Sequence, residues 1–458
     1  MRKTTLFFSI LFALLVVARL CHVHVLWEGD TYPLAAAEQL AHGKVLYRDI
    51  WFDKPPLLPL FYLAWGAVAG WPLRLAGALY SLSVCGIAYG FARDLWSERE
   101  GLWAAGLAGF FLIFDFPAAI IPVASDLLMV APHLAAVWLA WKRKPFWAGV
   151  LAAIAFWISP KGVFVAAACL LFHPAGAMWM AAGFGAVSVV MLGALAAVGA
   201  LGPYWEEVWK WGRLYADSPF VGSPMRNGLQ RTANWAGFHI AAVIAAAVFF
   251  WRAPRKAWIG WLALSIGGVA MGLRFFPRYY VVLMPVMVLA AARGFTLLGS
   301  KRELVALLLL IPATRFGPTY LAALRDPAWR DTAMDRDSRD AAALLRPMEK
   351  SGDTLLVWGY RPELYVYTGL PAATMYIDTQ PLSGVPADRH LTSSVPVETQ
   401  EAARRRAALI RSDPAFILDG LGPYNTRLAI TAYPELSEWL GRYREVGRTA
   451  GCVVYRRK

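Results

Sequence analysis

The chain has 458 residues, of which 58% are hydrophobic, only 17% are charged and 21 are tryptophan. This composition excludes an ordinary soluble protein, in which about 25% of residues are charged. The formal net charge is +14. However, the basic residues stand in short clusters between long apolar runs, as expected for cytoplasmic loops of a membrane protein. The charge therefore indicates lipid headgroups rather than nucleic acid as the partner.

The N-terminal apolar run predicts a first membrane helix that is not cleaved. Arg2 and Lys3 precede it and place the N-terminus in the cytoplasm. No small-residue cleavage site follows the apolar core. Further apolar segments predict helices at about 71–95, 101–121, 126–141, 176–201, 237–251, 257–273, 280–298 and 303–320, with the first helix at about 5–26.

The segment 146–173 is predicted to be two short helices. The basic clusters at 142–144 and 252–256 should both be cytoplasmic, so an even number of crossings must separate them. Pro160 and Lys161 interrupt the apolar run, because proline breaks the helical ladder and a lysine inside a bilayer is costly. Splitting the run gives about eleven crossings and an extracytoplasmic C-terminus, with Lys161 on the extracytoplasmic side.

The chain is predicted to divide into two domains. Residues 1–324 form a polytopic α-helical membrane domain, whose first extracytoplasmic loop covers 27–70. Residues 325–458 are more polar. The strings TLLVWG and PAFILDG indicate short buried strands, and 335–350 and 398–412 indicate helices. Alternating strands and helices predict a small extracytoplasmic α/β domain.

The first loop carries the highest density of candidate catalytic groups. Glu28 and Asp30 stand at the mouth of the first helix, where a partly desolvated carboxylate can act as a general base. Asp53 and Lys54 precede two prolines, which fix the backbone and begin a helix at a defined place. A lysine held at headgroup level suits a lipid phosphate. The alternative is a solvated loop with ordinary ion pairs.

Several stretches resemble the GT-C glycosyltransferases. The strings EGDTY, AAAEQLAHG and YRDIWFDKPPL look like their first periplasmic loop, most closely in the protein-mannosyltransferase-like, aminoarabinose-transferase-like and Rhizobium core-transferase-like branch. PVASDLLM, WISPKGVF and FFPRYYVVLMP resemble later family segments in the same order. The resemblance implies the GT-C fold and a polyprenyl-phosphate-linked sugar as the donor substrate.

The resemblance also implies roles for particular residues. A loop-one carboxylate, Asp30 or alternatively Glu28, acts as the base on an acceptor hydroxyl in an inverting transfer. Many relatives carry adjacent Asp-Glu here, whereas Trp27 precedes Glu28 in this chain, so the choice between the two stays open. The supporting residues are Asp53, Asp126 and Tyr279, and the groups proposed to bind the donor phosphate are Lys54, Arg278 and Lys161.

No nucleotide-binding loop is present in the sequence, and the four cysteines lack metal-ligand spacing. The residues predict no metal site, although the resemblance leaves a divalent metal ion open. The expected partners are the lipid bilayer, the polyprenyl-phosphate-linked sugar and a glycan, lipid or protein acceptor, in a bacterial-type inner membrane. The alternatives are a transporter or lipid flippase, whose broken helices would look similar, and a non-catalytic assembly or sensor protein.

Overall fold

The computed structural model describes residues 2–217, 222–253, 255–326, 328–386 and 392–458, and most of them are helical. Before the C-terminal segment, α-helices cover Arg2–Leu20, Glu28–Ala41, Leu57–Ala64, Trp71–Leu95, Glu98–Phe111, Pro117–Ile120, Ser125–Leu128, Val130–Trp141, Pro145–Ile158, Gly162–Phe172, Ala177–Ala197, Leu201–Tyr204, Trp211–Asp217, Pro224–Phe238, Ile240–Arg252, Lys256–Ala270, Met284–Leu297, Arg302–Leu307 and Leu310–Arg325. A π-helix covers Trp205–Lys210, and a 3₁₀-helix covers Pro277–Leu283.

Among the described residues, five helices are long and apolar enough to cross a membrane. They are Lys3–Leu20, Trp71–Leu95, Pro174–Ala197, Pro277–Leu297 and Gly299–Arg325. A sixth span would join Pro224–Phe238 with Ile240–Arg252, which meet at an angle of 94°. Shorter apolar helices lie at Ser125–Trp141, Pro145–Ile158, Gly162–Phe172 and Lys256–Ala270. The polytopic character is thus shown, while the count of about eleven crossings stays a prediction.

The predicted break before Lys161 is confirmed. One helix ends at Ile158 and the next begins at Gly162. The first helix, however, ends at Leu20 and not near 26 as predicted. Close to this end, the Arg19 guanidinium donates hydrogen bonds to the carbonyls of Ile120 and Ile121. These bonds tie the end of the helix to its neighbours, and the chain turns immediately afterwards.

Glycines let several helices pack backbone against backbone. A Cβ atom at Gly149 would lie 2.0 Å from the carbonyl oxygen of Met180, and one at Gly183 would lie 2.0 Å from that of Phe146. The helices Pro145–Ile158 and Ala177–Ala197 therefore pack at a distance that only glycine permits. Small residues at helix contacts are a general means of close approach in membranes.

The C-terminal segment contains a mixed four-stranded sheet. Strands β1 (Leu355–Trp358) and β2 (Phe416–Asp419) are parallel and fully buried, which confirms the two predicted strands. Strands β3 (Tyr443–Arg448) and β4 (Val453–Arg457) form an antiparallel hairpin that the sequence did not predict, and the strand order is β1-β2-β4-β3. Helices cover Ala333–Leu345, Glu363–Thr368, Gln380–Ser383, Gln400–Leu409 and Ser437–Leu440.

The C-terminal segment packs directly on the first loop. The amide of Leu26, immediately before that loop, donates to Asp335 at 3.0 Å, and the amide of Ala372 donates to the Gln39 side chain within it at 2.7 Å. Trp51 of the first loop is buried in the same apolar cluster as Leu356 and Trp358 of β1. The two parts of the chain therefore share buried surface.

Candidate active site

Three predicted cations converge at one place. Lys54 comes from the first loop just before the helix Leu57–Ala64, Lys161 from the break between two short helices, and Arg278 from the 3₁₀-helix. Both Lys54 and Arg278 lie close enough to act electrostatically on the Lys161 ammonium. The side chains of Lys54 and Arg278 are 38% and 27% exposed, whereas that of Lys161 is 9% exposed. The cluster is therefore open on one side and dry on the other.

Lys161 is held from two directions at the dry side. Its ammonium donates to Asp126 at 2.7 Å and stands 3.3 Å from the centre of the Tyr279 ring. Asp126 is itself buried, so the pair compensates for the desolvation of both charges. Two of the predicted supporting residues, Asp126 and Tyr279, are thus in contact with a predicted phosphate-binding residue.

Lys54 lies at the more open side of the cluster. Its ammonium is 2.9 Å from Asp53 and stands 5.7 Å from the centre of the Tyr215 ring. Burial lowers the pKa of Lys54, but Asp53 and Tyr215 outweigh that effect and its pKa lies above the ordinary value. Lys54 is therefore charged at neutral pH. Asp53 Oδ1 is buried and has no hydrogen-bond partner among the described residues.

The two predicted catalytic carboxylates have different surroundings. Glu28 begins the first-loop helix, its side chain is 75% exposed, and it lies 3.4 Å from Arg278. Asp30 is fully buried. It is 2.8 Å from Arg74 and accepts a hydrogen bond of 2.8 Å from the Tyr62 hydroxyl. Only Glu28 is open to an approaching substrate in this conformation.

Some residues of this region were missed by the sequence reasoning. Arg74 is 2% exposed, and an arginine inside an apolar span is itself a signal that a polar partner is present. The guanidinium of Arg274 stacks 3.7 Å from the centre of the Tyr215 ring. Glu207 and Asp378 are buried near Asp53. They are distant in sequence from the first loop, so no local pattern connects them with it.

Metal ligands are not gathered here. Within the part of the chain that the structure describes, no group of three His, Cys, Asp or Glu side chains could hold a metal ion. Asp53 and Asp126 are each paired with a lysine instead.

Two proteins of known structure share the fold of this chain. ArnT from Cupriavidus metallidurans, in a crystal structure bound to undecaprenyl phosphate, matches 99% of this chain and 97% of its own, with a TM-score of 0.62 and 16% identity. The apo form of that protein gives a TM-score of 0.58 at 16% identity, with 99% of this chain and 97% of that one covered. The oligosaccharyltransferase from Archaeoglobus fulgidus matches 90% of this chain and 70% of its own, with a TM-score of 0.52 and 14% identity.

These likenesses show that the chain shares the fold of those two GT-C glycosyltransferases. No protein-family model and no curated protein sequence matches the chain. At identities of 16% and below, the particular reaction must be argued from this chain's own residues.

Proposed function

We propose that the protein is a membrane glycosyltransferase that transfers a sugar from a polyprenyl-phosphate donor to a glycan, lipid or protein acceptor. The observation that carries this proposal is the convergence of Lys54, Lys161 and Arg278 beside an open carboxylate. Each cation is paired with one carboxylate, and the side chains of Lys54 and Arg278 remain partly exposed. Partly exposed lysine and arginine side chains gathered at one place suit a phosphate ligand. The likeness to a structure that binds undecaprenyl phosphate supports the same donor class.

The proposed reaction is an inverting displacement. The acceptor hydroxyl gives its proton to a carboxylate, and its oxygen bonds to the anomeric carbon. The bond between that carbon and the phosphate oxygen breaks, and polyprenyl phosphate leaves with the electron pair. Lys54 and Arg278 stabilise the negative charge that develops on the leaving phosphate, while Lys161 contributes from the dry side.

Glu28 is the better placed of the two candidate bases. A base must come within hydrogen-bond reach of the proton that it removes, and Glu28 is exposed beside Arg278. Asp30 is enclosed by Arg74 and Tyr62. We therefore assign proton removal to Glu28 and the positioning of the helix that carries it to Asp30. The sequence favours Asp30 as the base instead, so the transfer activity of variants at the two positions decides between them.

The proposed topology follows the distribution of basic residues. It comprises about eleven crossings, a cytoplasmic N-terminus and an extracytoplasmic C-terminal domain from residue 325. This topology would place the cation cluster on the extracytoplasmic side of the membrane. Accessibility labelling of single cysteines in loop 27–70 tests this arrangement in a bacterial inner membrane. Labelling of that loop from the cytoplasm alone would refute the scheme.

The decisive experiment combines binding with transfer. The full chain in nanodiscs is titrated with undecaprenyl phosphate, and Lys54→Ala should weaken binding at least tenfold. Lys210→Ala is the matched control, because Lys210 is exposed and pairs only locally with Glu206. In a deletion strain, Glu28→Gln should fail to restore the mass of the glycosylated envelope component, while the wild type restores it.

Two outcomes would contradict the proposed function. One is equal binding of undecaprenyl phosphate by the Lys54→Ala variant and the wild type. The other is uptake of labelled lipid phosphate into proteoliposomes without any covalent sugar product, which would indicate a transporter or flippase.

A further inference from the structure

The backbone of residues 51–54 is held by hydrogen bonds from several parts of the fold. The amide of Trp51 donates to the carbonyl of Met375 at 2.7 Å, and the amide of Phe52 donates to Glu207 Oε2 at 2.8 Å. The carbonyl of Lys54 accepts from the Tyr47 hydroxyl at 2.7 Å. These contacts come from separate elements of the fold. They fix the segment that presents the Lys54 ammonium to the site.

Tyr32, on the first-loop helix, adds two further hydrogen bonds to this segment. The groups that hold the backbone of residues 51–54 are called the backbone clamp below. The hydroxyl of Tyr32 donates to the carbonyl of Trp51 at 3.2 Å and accepts from the amide of Asp53 at 3.3 Å. Its ring stacks on that of Phe52 with a centroid distance of 4.6 Å. Pro55 and Pro56 then restrict the chain immediately after Lys54. Little freedom is left in the backbone that carries the ammonium.

Glu207 is the clamp member that no motif and no predicted role explains. It belongs to the π-helix Trp205–Lys210, and single π turns often occur at functional sites. Glu207 is 5% exposed and points inward, whereas its neighbour Glu206 faces outward and pairs with Lys210 at 2.6 Å. Phe52, its partner, is fully buried. Without Glu207 the Phe52 amide would lack an acceptor in a dry environment.

We propose that Glu207 is a positioning residue, which sets the place of the Lys54 ammonium through its hydrogen bond with the Phe52 amide. The inference rests on the proposed function, because it assumes that Lys54 binds the donor phosphate. Burial raises the pKa of Glu207 to about 9. At neutral pH its removal therefore takes away a hydrogen bond and no charge, so a long-range electrostatic effect on the phosphate is not expected.

The test measures the dissociation constant for undecaprenyl phosphate with the full chain in nanodiscs. Glu207→Ala should weaken binding about tenfold, which corresponds to about 1.4 kcal/mol. Glu207→Gln should stay within twofold of the wild type, because its amide oxygen can accept the same hydrogen bond. Glu206→Ala is the matched control and should leave binding unchanged.

A double-mutant cycle separates positioning from a general structural role. In the Lys54→Ala background, Glu207→Ala should change the dissociation constant less than twofold, because the group that it positions is gone. Equal effects of Glu207→Ala in both backgrounds, or a Gln variant as weak as the Ala variant, would overturn the inference. If Glu207→Ala does not fold, Glu207→Met takes its place in the same cycle. Methionine keeps the side-chain volume and removes the carboxyl acceptor, and the same criteria apply.

The failures of the two proposals are distinguishable. A strong effect of Lys54→Ala with a silent Glu207→Ala overturns the role of Glu207 and leaves the glycosyltransferase proposal standing. If Lys54→Ala leaves the dissociation constant unchanged, Lys54 does not bind the phosphate, and the proposed role of Glu207 is overturned as well.

Discussion

Asp30 shows how a residue's surroundings determine which roles it can take. The sequence places it beside Glu28 at the mouth of the first helix, and both are equally polar there. The fold encloses Asp30 between Arg74 and Tyr62, whereas Glu28 stays exposed. A carboxylate that neutralises a buried arginine supports the architecture of the site. We therefore expect the two acids to respond differently to substitution.

Asp30→Ala should lower the free energy of unfolding by about 3–5 kcal/mol, because it leaves the buried Arg74 charge uncompensated. The measurement is thermal unfolding of the purified protein in detergent. Glu28→Gln is the control and should keep the wild-type melting temperature while transfer is lost. An Asp30→Ala variant as stable as the wild type would show that Arg74 has another counter-charge.

Glu207 should make stability depend on pH. Burial raises its pKa in the folded state from 4.5 to about 9, while the hydrogen bond from the Phe52 amide and the charge of Arg405 lower it and Asp53 raises it slightly. The folded protein thus holds this proton more tightly than the unfolded chain, so stability falls as the pH rises from about 4.5 to 9. Glu207→Gln should reduce the decline in melting temperature between pH 5 and pH 9. The same slope in both proteins would disprove the raised pKa.

At the scale of elements, broken and bent helices build the site. The interruption at Pro160 turns one long apolar run into two short helices and places Lys161 at their junction. The 3₁₀-helix Pro277–Leu283 delivers Arg278 and Tyr279 to the same place. Irregular backbone of this kind persists in membrane proteins where it lines a polar cavity. The cations are accordingly found at the ends of helices.

Close packing of two helices supports this arrangement. Gly183→Ala should destabilise the protein by about 1–3 kcal/mol, because the new methyl group would collide with the Phe146 carbonyl. Gly185→Ala, in the same helix, meets nothing within 4 Å and should cost nothing measurable. Melting temperatures in detergent report the difference. Equal temperatures for the two variants would mean that the helices can separate freely.

At the scale of the whole molecule, the C-terminal segment and the first loop share a buried apolar cluster. Trp51 is 3% exposed in a cluster with residues of β1 and with Trp211, and its ring contacts that of Trp211 with a centroid distance of 5.5 Å. The amide of the same residue bonds to Met375. A disturbance at Trp51 should therefore be felt in both regions.

Trp51→Ala should cost about 3–5 kcal/mol and make the C-terminal segment more sensitive to limited proteolysis. Trp71→Ala is the matched control, since that side chain is 63% exposed and should give the wild-type digestion pattern. Unchanged proteolysis of the Trp51→Ala variant would show that the segment folds independently of the first loop.

The sequence by itself determined the membrane class, the helix break before Lys161, the two buried strands and the set of candidate cations. Apolar runs, prolines and charge clusters are local signals, and a single pass along the chain detects them. The terminal hairpin was not predicted because Tyr443–Arg448 has no continuous apolar run and buries only Tyr443. The early end of the first helix was not predicted because apolar residues recur beyond Leu20 as far as Leu26.

Only the tertiary structure decided which of the candidate groups meet. Any two of the residues Lys54, Lys161 and Arg278 are more than 100 positions apart in the sequence, so their convergence depends on helix packing. The burial of Asp30 and the contact of Glu207 with Phe52 likewise arise from elements far apart in the chain. Burial and hydrogen bonding are properties of the assembled fold, so a local pattern can nominate a charged residue but cannot assign its partner.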